Sequence, residues 1–238
     1  FGCPVKKVLG RCRGGYLLSQ PSIALKIIAN VRDTVPEKIP VTIKMRRGID
    51  ESQESYDHFF QILDGAWERG VDAVTVHGRT VEQRYKGTSN RIFLREVKQH
   101  SQKHIVIGSG DLFTANDCID MMRETNVDAV SIARGAIGNP WIFSHLRALV
   151  SGKEFSPPTV YEQREVMIEH YRLAEEIYEP KKCCATMRKF GIQYAPLHPH
   201  AEEVRTAFIK AKSPEDWQKI IQNWYSNDLP GRWYQAEA

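Results

Sequence analysis

Four short runs of apolar, largely β-branched residues punctuate the first two thirds of the chain: Val41-Thr42-Ile43, Ala73-Val74-Thr75-Val76, Ile105-Val106-Ile107 and Ala129-Val130-Ser131-Ile132. Runs this short and this continuous read as parallel strands buried on both faces. Between them the apolar positions fall at helical spacing. Residues 53–69 present Phe59, Phe60, Ile62, Leu63, Ala66 and Trp67 and stop at Gly70, a suitable C-terminal glycine. A helix over 115–124 follows Thr114, with Asp117 completing the outline of a capping box, and residues 20–34 carry Ile23, Ala24, Ile27, Ile28 and Val31 on one face. The strand midpoints fall near residues 42, 75, 106 and 130, close to the ~31 residues that one βα unit of an eight-stranded barrel uses. An open doubly wound sheet would also accommodate four or five such strands.

The pattern changes after Ser156-Pro157-Pro158. Thr159 with Glu162 predicts a capped helix running to about residue 178, and Ser213-Pro214-Glu215-Asp216 opens another ending near Tyr225, with no strand-like run between. Residues 155–238 therefore read as a small all-helical domain, with Trp217, Trp224 and Trp233 as its packing. Residues 1–150 form the α/β part.

Composition narrows the class. The chain of 238 residues is 42% hydrophobic and 26% charged, as in ordinary soluble domains, and it carries no stretch long and apolar enough for a membrane span and no signal-peptide pattern. A cytoplasmic location is the expectation. Five cysteines without a Cys-x-x-Cys pair predict free thiols and no metal site. Residue 1 is Phe and the first methionine is Met45, so an upstream segment of roughly 100 residues, about four βα units, is expected if the structure is a barrel. Net charge is +4, yet residues 1–47 hold ten Lys or Arg against Asp33 and Glu37, a concentration that suits contact with phosphates.

Parallel βα architectures gather ligands at the carboxyl ends of their strands. Lys44 follows the first run, where an ammonium needs an anion or acceptor, and His77 follows the second at what reads as an equivalent depth. The third and fourth runs end in Gly108-Ser109-Gly110-Asp111 and Ala133-Arg134-Gly135-Ala136, whose glycines let backbone N–H groups approach an anion, and a helix is expected from Pro140 after the cap Asn139. Cys3, in Gly2-Cys3-Pro4-Val5-Lys6-Lys7-Val8, would occupy a further strand-end loop.

Taken together, Gly-Cys-Pro-Val-Lys-Lys-Val at 2–8, Val-Thr-Ile-Lys-Met-Arg at 41–46, Val-His-Gly-Arg-Thr at 76–80, Gly-Ser-Gly-Asp at 108–111, Ala-Arg-Gly-Ala at 133–136 and Gly-Asn-Pro-Trp-Ile-Phe at 138–143 resemble the tRNA-dihydrouridine synthases, and the B-type bacterial branch in particular. The resemblance implies the C-terminal half of a TIM (βα)8 barrel, strands 5–8 with the loop after strand 4, followed by a helical tRNA-binding domain. It implies FMN at the barrel mouth, reduced by NADPH, with hydride passing to C6 of a uridine in tRNA and a proton reaching C5 from Cys3. It assigns Lys44, His77, Ser109, Gly110, Asp111, Ala133 and Arg134 to the cofactor, Ser109 and Ala133 standing where the family more often has Asn and Gly. Lys6, Lys7, Arg46 and Arg79 are expected to meet tRNA phosphates, with Arg11, Arg13, Arg84 and Lys86 nearby and a second basic cluster at Lys181, Lys182, Arg188 and Lys189. Two other readings share these motifs: another FMN barrel oxidoreductase acting on a small molecule, and a non-catalytic RNA-binding remnant.

Overall fold

A computed structural model describes residues 1–234, which fall into two compact units: residues 1–112 with 117–133, and residues 113–116 with everything from 134 onward. In the first unit, α1 (Lys6–Leu9) and a 3-10 segment (Gly14–Ser19) lead into α2 (Pro21–Thr34), β1 (Thr42–Arg46), α3 (Gln53–Glu68), β2 (Ala73–His77), α4 (Arg91–Ser101), β3 (Ile105–Ser109), α5 (Ala115–Thr125) and β4 (Ala129–Ser131). The strands form one parallel sheet in the order β1-β2-β3-β4. The first, second and third strands run three, one and two residues past their apolar runs, so Lys44, His77 and Ser109 lie within strands rather than after them.

Alternation sorts the sheet into two faces. Met45, Val74, Val76 and Val106, all fully buried, form the helix-covered face together with Phe59, Ile62, Leu63 and Ala66 of α3 and Leu94 and Val97 of α4. Phe59 and Phe93 join those two helices edge to face at 4.8 Å. Gly108 is glycine because α5 lies hard against β3: a Cβ there would come within 2.7 Å of Met121 Sδ. The other face carries Thr42, Lys44 and Arg46, then Ala73, Thr75 and His77, then Ile107 and Ser109; Thr42 and Lys44 are exposed on it.

Two carboxylates fix the strand register. Asp72 and Asp128 directly precede β2 and β4, and each makes a paired contact with the start of the neighbouring strand. Val41 N–H donates to Asp72 Oδ2 at 2.7 Å and Asp72 N–H donates back to the Val41 carbonyl at 2.8 Å. Val106 and Asp128 repeat this at 2.8 and 3.0 Å. α3 ends as its sequence predicts, with Gly70 at φ +72° and the N–H of Val71 donating back to Ala66 O at 3.1 Å.

The second unit contains only helices among the described residues: a 3-10 turn (Arg134–Ala136), α6 (Ile142–Val150), α7 (Val160–Glu175), α8 (Pro180–Tyr194), a second 3-10 turn (Ala195–Leu197), α9 (Ala201–Lys210) and α10 (Pro214–Trp224). Both predicted capping boxes, Thr159 with Glu162 and Ser213 with Asp216, are formed. Their helices pack through Met167, Met187, Val204, Phe208, Trp217 and Ile221. The unit begins at 134 rather than near 155 because the segment after β4 belongs to this core: Trp141 packs on it, and Gly138 lies so close to Gln193 that no Cβ would fit. α6 starts at Ile142 with Trp141 as its N-cap, two residues later than expected, and Asn139 is buried instead of capping it. Trp233 is half exposed against His145 and Phe155, at ring distances of 5.6 and 5.4 Å, while Trp217 is buried.

Four histidines, His77, His145, His170 and His198, have pKa values lowered chiefly by burial. His198 shows the physical basis: its Nε2 lies 2.8 Å from Trp224 O, and its Nδ1 accepts the N–H of His200 at 3.0 Å, so a second ring proton would displace that bond. The unfolded chain takes up these protons first, near the ordinary histidine value of about 6.5. Their contribution to stability is therefore complete above that pH and lost as pH falls toward the folded values. The urea midpoint is expected to drop between about pH 7.5 and about pH 5.5, ahead of carboxylate titration; a midpoint that holds or rises across that interval contradicts this.

Candidate active site

Residues 1–3 run alongside β1. The backbone nitrogen of Phe1 donates to Lys44 O at 2.6 Å, and Gly2 O accepts from Arg46 Nε at 3.1 Å, which brings Cys3 just beyond the carboxyl end of the sheet. The following turn holds it there. Gly15 N–H donates to Cys3 O at 3.0 Å, and Gly14, at φ +61°, sits so near that a Cβ would be 2.9 Å from Cys3 Cβ. Cys3 itself is exposed, as are Lys6, Lys7, Arg11, Arg13, Arg84 and Lys86.

The register corrects the expected depth of Lys44. His77 pairs with Arg46, and Ser109 with His77, whereas Lys44 lies one pleat repeat lower, opposite Thr75. Its ammonium has no acceptor or carboxylate partner among the described residues. Loss of hydration in its surroundings, then the charge of Arg46, lower its pKa.

Arg46 and Arg79 differ from expectation more sharply. Both are buried, at 4% and 3% exposure, so neither guanidinium is offered to a phosphate in this arrangement. Arg46 ties three segments together, donating to the carbonyls of Gly2 (3.1 Å), Thr80 (2.7 Å) and Arg84 (2.8 Å). Arg79 forms an ion pair with Asp111 at 2.7 Å, donates to Lys86 O at 3.3 Å and to Gly87 O, and reaches His77 Nε2 at 3.4 Å. Loop carbonyls and one carboxylate hold the two guanidinium groups that the sequence offered to tRNA phosphates.

His77 is pushed down to about 3, by burial first and then by the positive charges of Arg46, Lys44 and Arg79, which outweigh Asp111. It is a neutral imidazole at physiological pH. Gly110, at φ +118°, packs on its edge: a Cβ would fall 2.7 Å from His77 Cδ2. Ser109 turns its hydroxyl onto β4, donating to Ser131 O at 3.1 Å, and the Asp111 carboxylate also accepts from Ser89 N–H at 2.8 Å. Ser89, buried and donating through Oγ to Ser109 O at 3.3 Å, is a part of this site that no sequence feature announced. Ala133 is exposed just after β4, and Arg134 belongs to the second unit, where its guanidinium lies 5.2 Å over the Phe113 ring.

The first unit thus brings Cys3, His77, Ser109, Gly110 and Asp111 to one end of a parallel sheet, with Lys44 one pleat repeat lower, so that an exposed thiol, a neutral imidazole and an ammonium without a partner among the described residues share that region. A sequence model of the family described as Dihydrouridine synthase (Dus) matches residues 1–227. The chain belongs to the dihydrouridine synthase family. A probable tRNA-dihydrouridine synthase of Mycobacterium leprae is 34% identical over 223 residues, which cover 93% of this chain and 57% of that protein. One from Rickettsia conorii is 32% identical over 228 residues, covering 95% of this chain and 67% of its own length. A tRNA-dihydrouridine synthase B of Xanthomonas campestris is 30% identical over 232 residues, covering 97% and 68%. The chain therefore spans between about half and two thirds of these relatives. Within the dihydrouridine synthase match lie the whole parallel sheet and α6 to α10. No helix among the described residues is long and apolar enough to cross a membrane.

Proposed function

We propose that this chain carries the flavin-facing half of an enzyme that reduces uridine to 5,6-dihydrouridine in tRNA, residues 1–150 contributing the last four strands of a TIM barrel. The observation that carries the reading is the Lys44 ammonium on the open sheet face, without an internal counter-ion among the described residues, close enough to a neutral His77 to lower its pKa, on the strand that residues 1–3 run alongside. A cation that has lost part of its hydration and has no internal acceptor suits a ligand rich in acceptors.

The donor set fits FMN. Lys44 is a cationic donor suited to a carbonyl or a ring nitrogen that gains negative charge, and His77 adds an uncharged donor that keeps the site from accumulating a further positive charge. The backbone at Ser109, Gly110 and Asp111, with Ala133, would hold the phosphate end. FMN, recharged by NADPH, would supply the hydride that reaches C6 of the uracil.

Cys3 would deliver the proton to C5. An ordinary thiol is protonated near neutral pH, yet it is acidic enough to yield a proton to a carbon that gains negative charge, which a carboxylic acid ionised at that pH would not do. Its exposure leaves it accessible to a base taken out of its stack. Lys6, Lys7, Arg11, Arg13, Arg84 and Lys86, exposed around that loop, would meet tRNA phosphates without reading sequence, and Lys181, Lys182, Arg188 and Lys189 of the helical unit would add phosphate contacts of their own. A cytoplasmic location follows from that substrate.

The test is tRNA lacking dihydrouridine incubated with the protein, FMN and NADPH, followed by nucleoside mass spectrometry. Dihydrouridine formation that weakens as salt rises supports the proposal. Oxidation of NADPH with a small carbonyl acceptor, and none with tRNA, would assign the site to a small-molecule reductase.

A further inference from the structure

The His77 ring can carry its single proton on either nitrogen, and the surroundings of Arg79 decide which. A guanidinium has five N–H donors and no acceptor. In Arg79 the Nε donates to Lys86 O at 3.3 Å, one Nη2 hydrogen goes to Gly87 O and the other to Asp111 Oδ2 at 2.8 Å, and Nη1 serves Asp111 Oδ1 at 2.7 Å and His77 Nε2 at 3.4 Å. All five donors have acceptors, and His77 Nε2 is the fifth.

We propose that Arg79, clamped by Asp111, is a positioning residue that holds the proton of His77 on Nδ1, so that the imidazole offers a bound ligand one fixed, uncharged N–H. Nε2 must accept, because among the described residues the one group facing it, the Arg79 guanidinium, can only donate. Rotation of the guanidinium away from the ring would break contacts to Asp111, Lys86 and Gly87 together, and the side chain is 3% exposed. A flipped ring would put Cε1 in place of Nε2 and leave that guanidinium hydrogen without its acceptor. Nδ1 has no partner among the described residues, so its hydrogen is the one left for an incoming acceptor. The groups facing the ring, Arg46, Lys44, Arg79 and Asp111, carry a net positive charge that opposes a second proton. Reading that acceptor as an atom of the flavin rests on the function proposed above; the tautomer itself does not.

Long-range proton–nitrogen correlation spectra of protein labelled with nitrogen-15 at histidine read the tautomer directly. The expected result is a single Nδ1–H pattern for His77, unchanged between about pH 5.5 and about pH 8. Arg79→Met should convert it to a pH-dependent mixture, and Arg79→Lys, which keeps one donor in a conservative frame, should restore part of the original pattern. An Nε2–H or doubly protonated pattern in the unaltered protein overturns the proposal, whatever the variants do. FMN titration then separates the two readings. His77→Asn places an amide donor near Nδ1 and should keep FMN affinity within a few-fold, whereas His77→Gln places it near Nε2 and should lose about tenfold. An Nδ1–H pattern accompanied by unchanged FMN affinity in both variants would leave the tautomer standing and remove the flavin as its acceptor.

Discussion

Replacing Cys3 with alanine should lower dihydrouridine formation by roughly 100- to 10,000-fold, the usual contribution of a positioned general acid, while FMN binding stays unchanged. The two halves of this result matter together. Cys3 is exposed, and the turn that holds it is fixed through backbone: Gly15 donates to its carbonyl, and Gly14 makes room for it. Removing Sγ therefore takes away a proton donor without disturbing a packed interior. Reduction of bound FMN by NADPH should proceed at its original rate, because that half-reaction does not need a proton at C5. Loss of both half-reactions would instead show that Cys3 shapes the cofactor site, and full turnover would show that the proton comes from elsewhere.

Lys44→Met should weaken FMN binding by about 30-fold, the loss of one charge-assisted hydrogen bond of about 2 kcal/mol, and should slow flavin reduction as well. The methionine keeps the length of the side chain on the open sheet face, so the fold is not expected to suffer. It should gain slightly instead, because the ammonium has no internal partner among the described residues and sits beside the charge of Arg46. Quenching of flavin fluorescence gives the affinity and urea denaturation gives the stability. A destabilised variant with intact FMN affinity would mean that Lys44 belongs to the scaffold.

The parallel sheet was legible because its strands are continuous apolar runs, and the helices with capping boxes or a terminal glycine were legible at their ends. α8 and α9, which the capping signals did not reveal, are set by tertiary packing around Met187, Val204 and Phe208. The register was harder, yet one signal was present: Val-Asp-Ala-Val occurs at both 71–74 and 127–130, and in each copy the aspartate clamps the neighbouring strand. Candidate chemistry at the strand ends was visible in the residue types of Lys44, His77 and Cys3. The roles of Arg46 and Arg79 were not, because a count of charges does not distinguish an arginine facing solvent from one whose donors are met by the carbonyls of Gly2, Thr80, Arg84, Lys86 and Gly87. The acceptors of Arg46 lie 34 or more residues away, and those of Arg79 lie seven and eight residues on, in a turn whose shape only the folded chain sets.

A crystal structure of the protein grown with FMN tests the central claim most directly. The account predicts the three-ring system lying on the open face of the sheet, within about 3 Å of Lys44 Nζ and of His77 Nδ1, with the Cys3 sulfur on the side from which a base would approach. An isoalloxazine found anywhere that leaves the Lys44 ammonium and the His77 ring without contact to it would contradict the account.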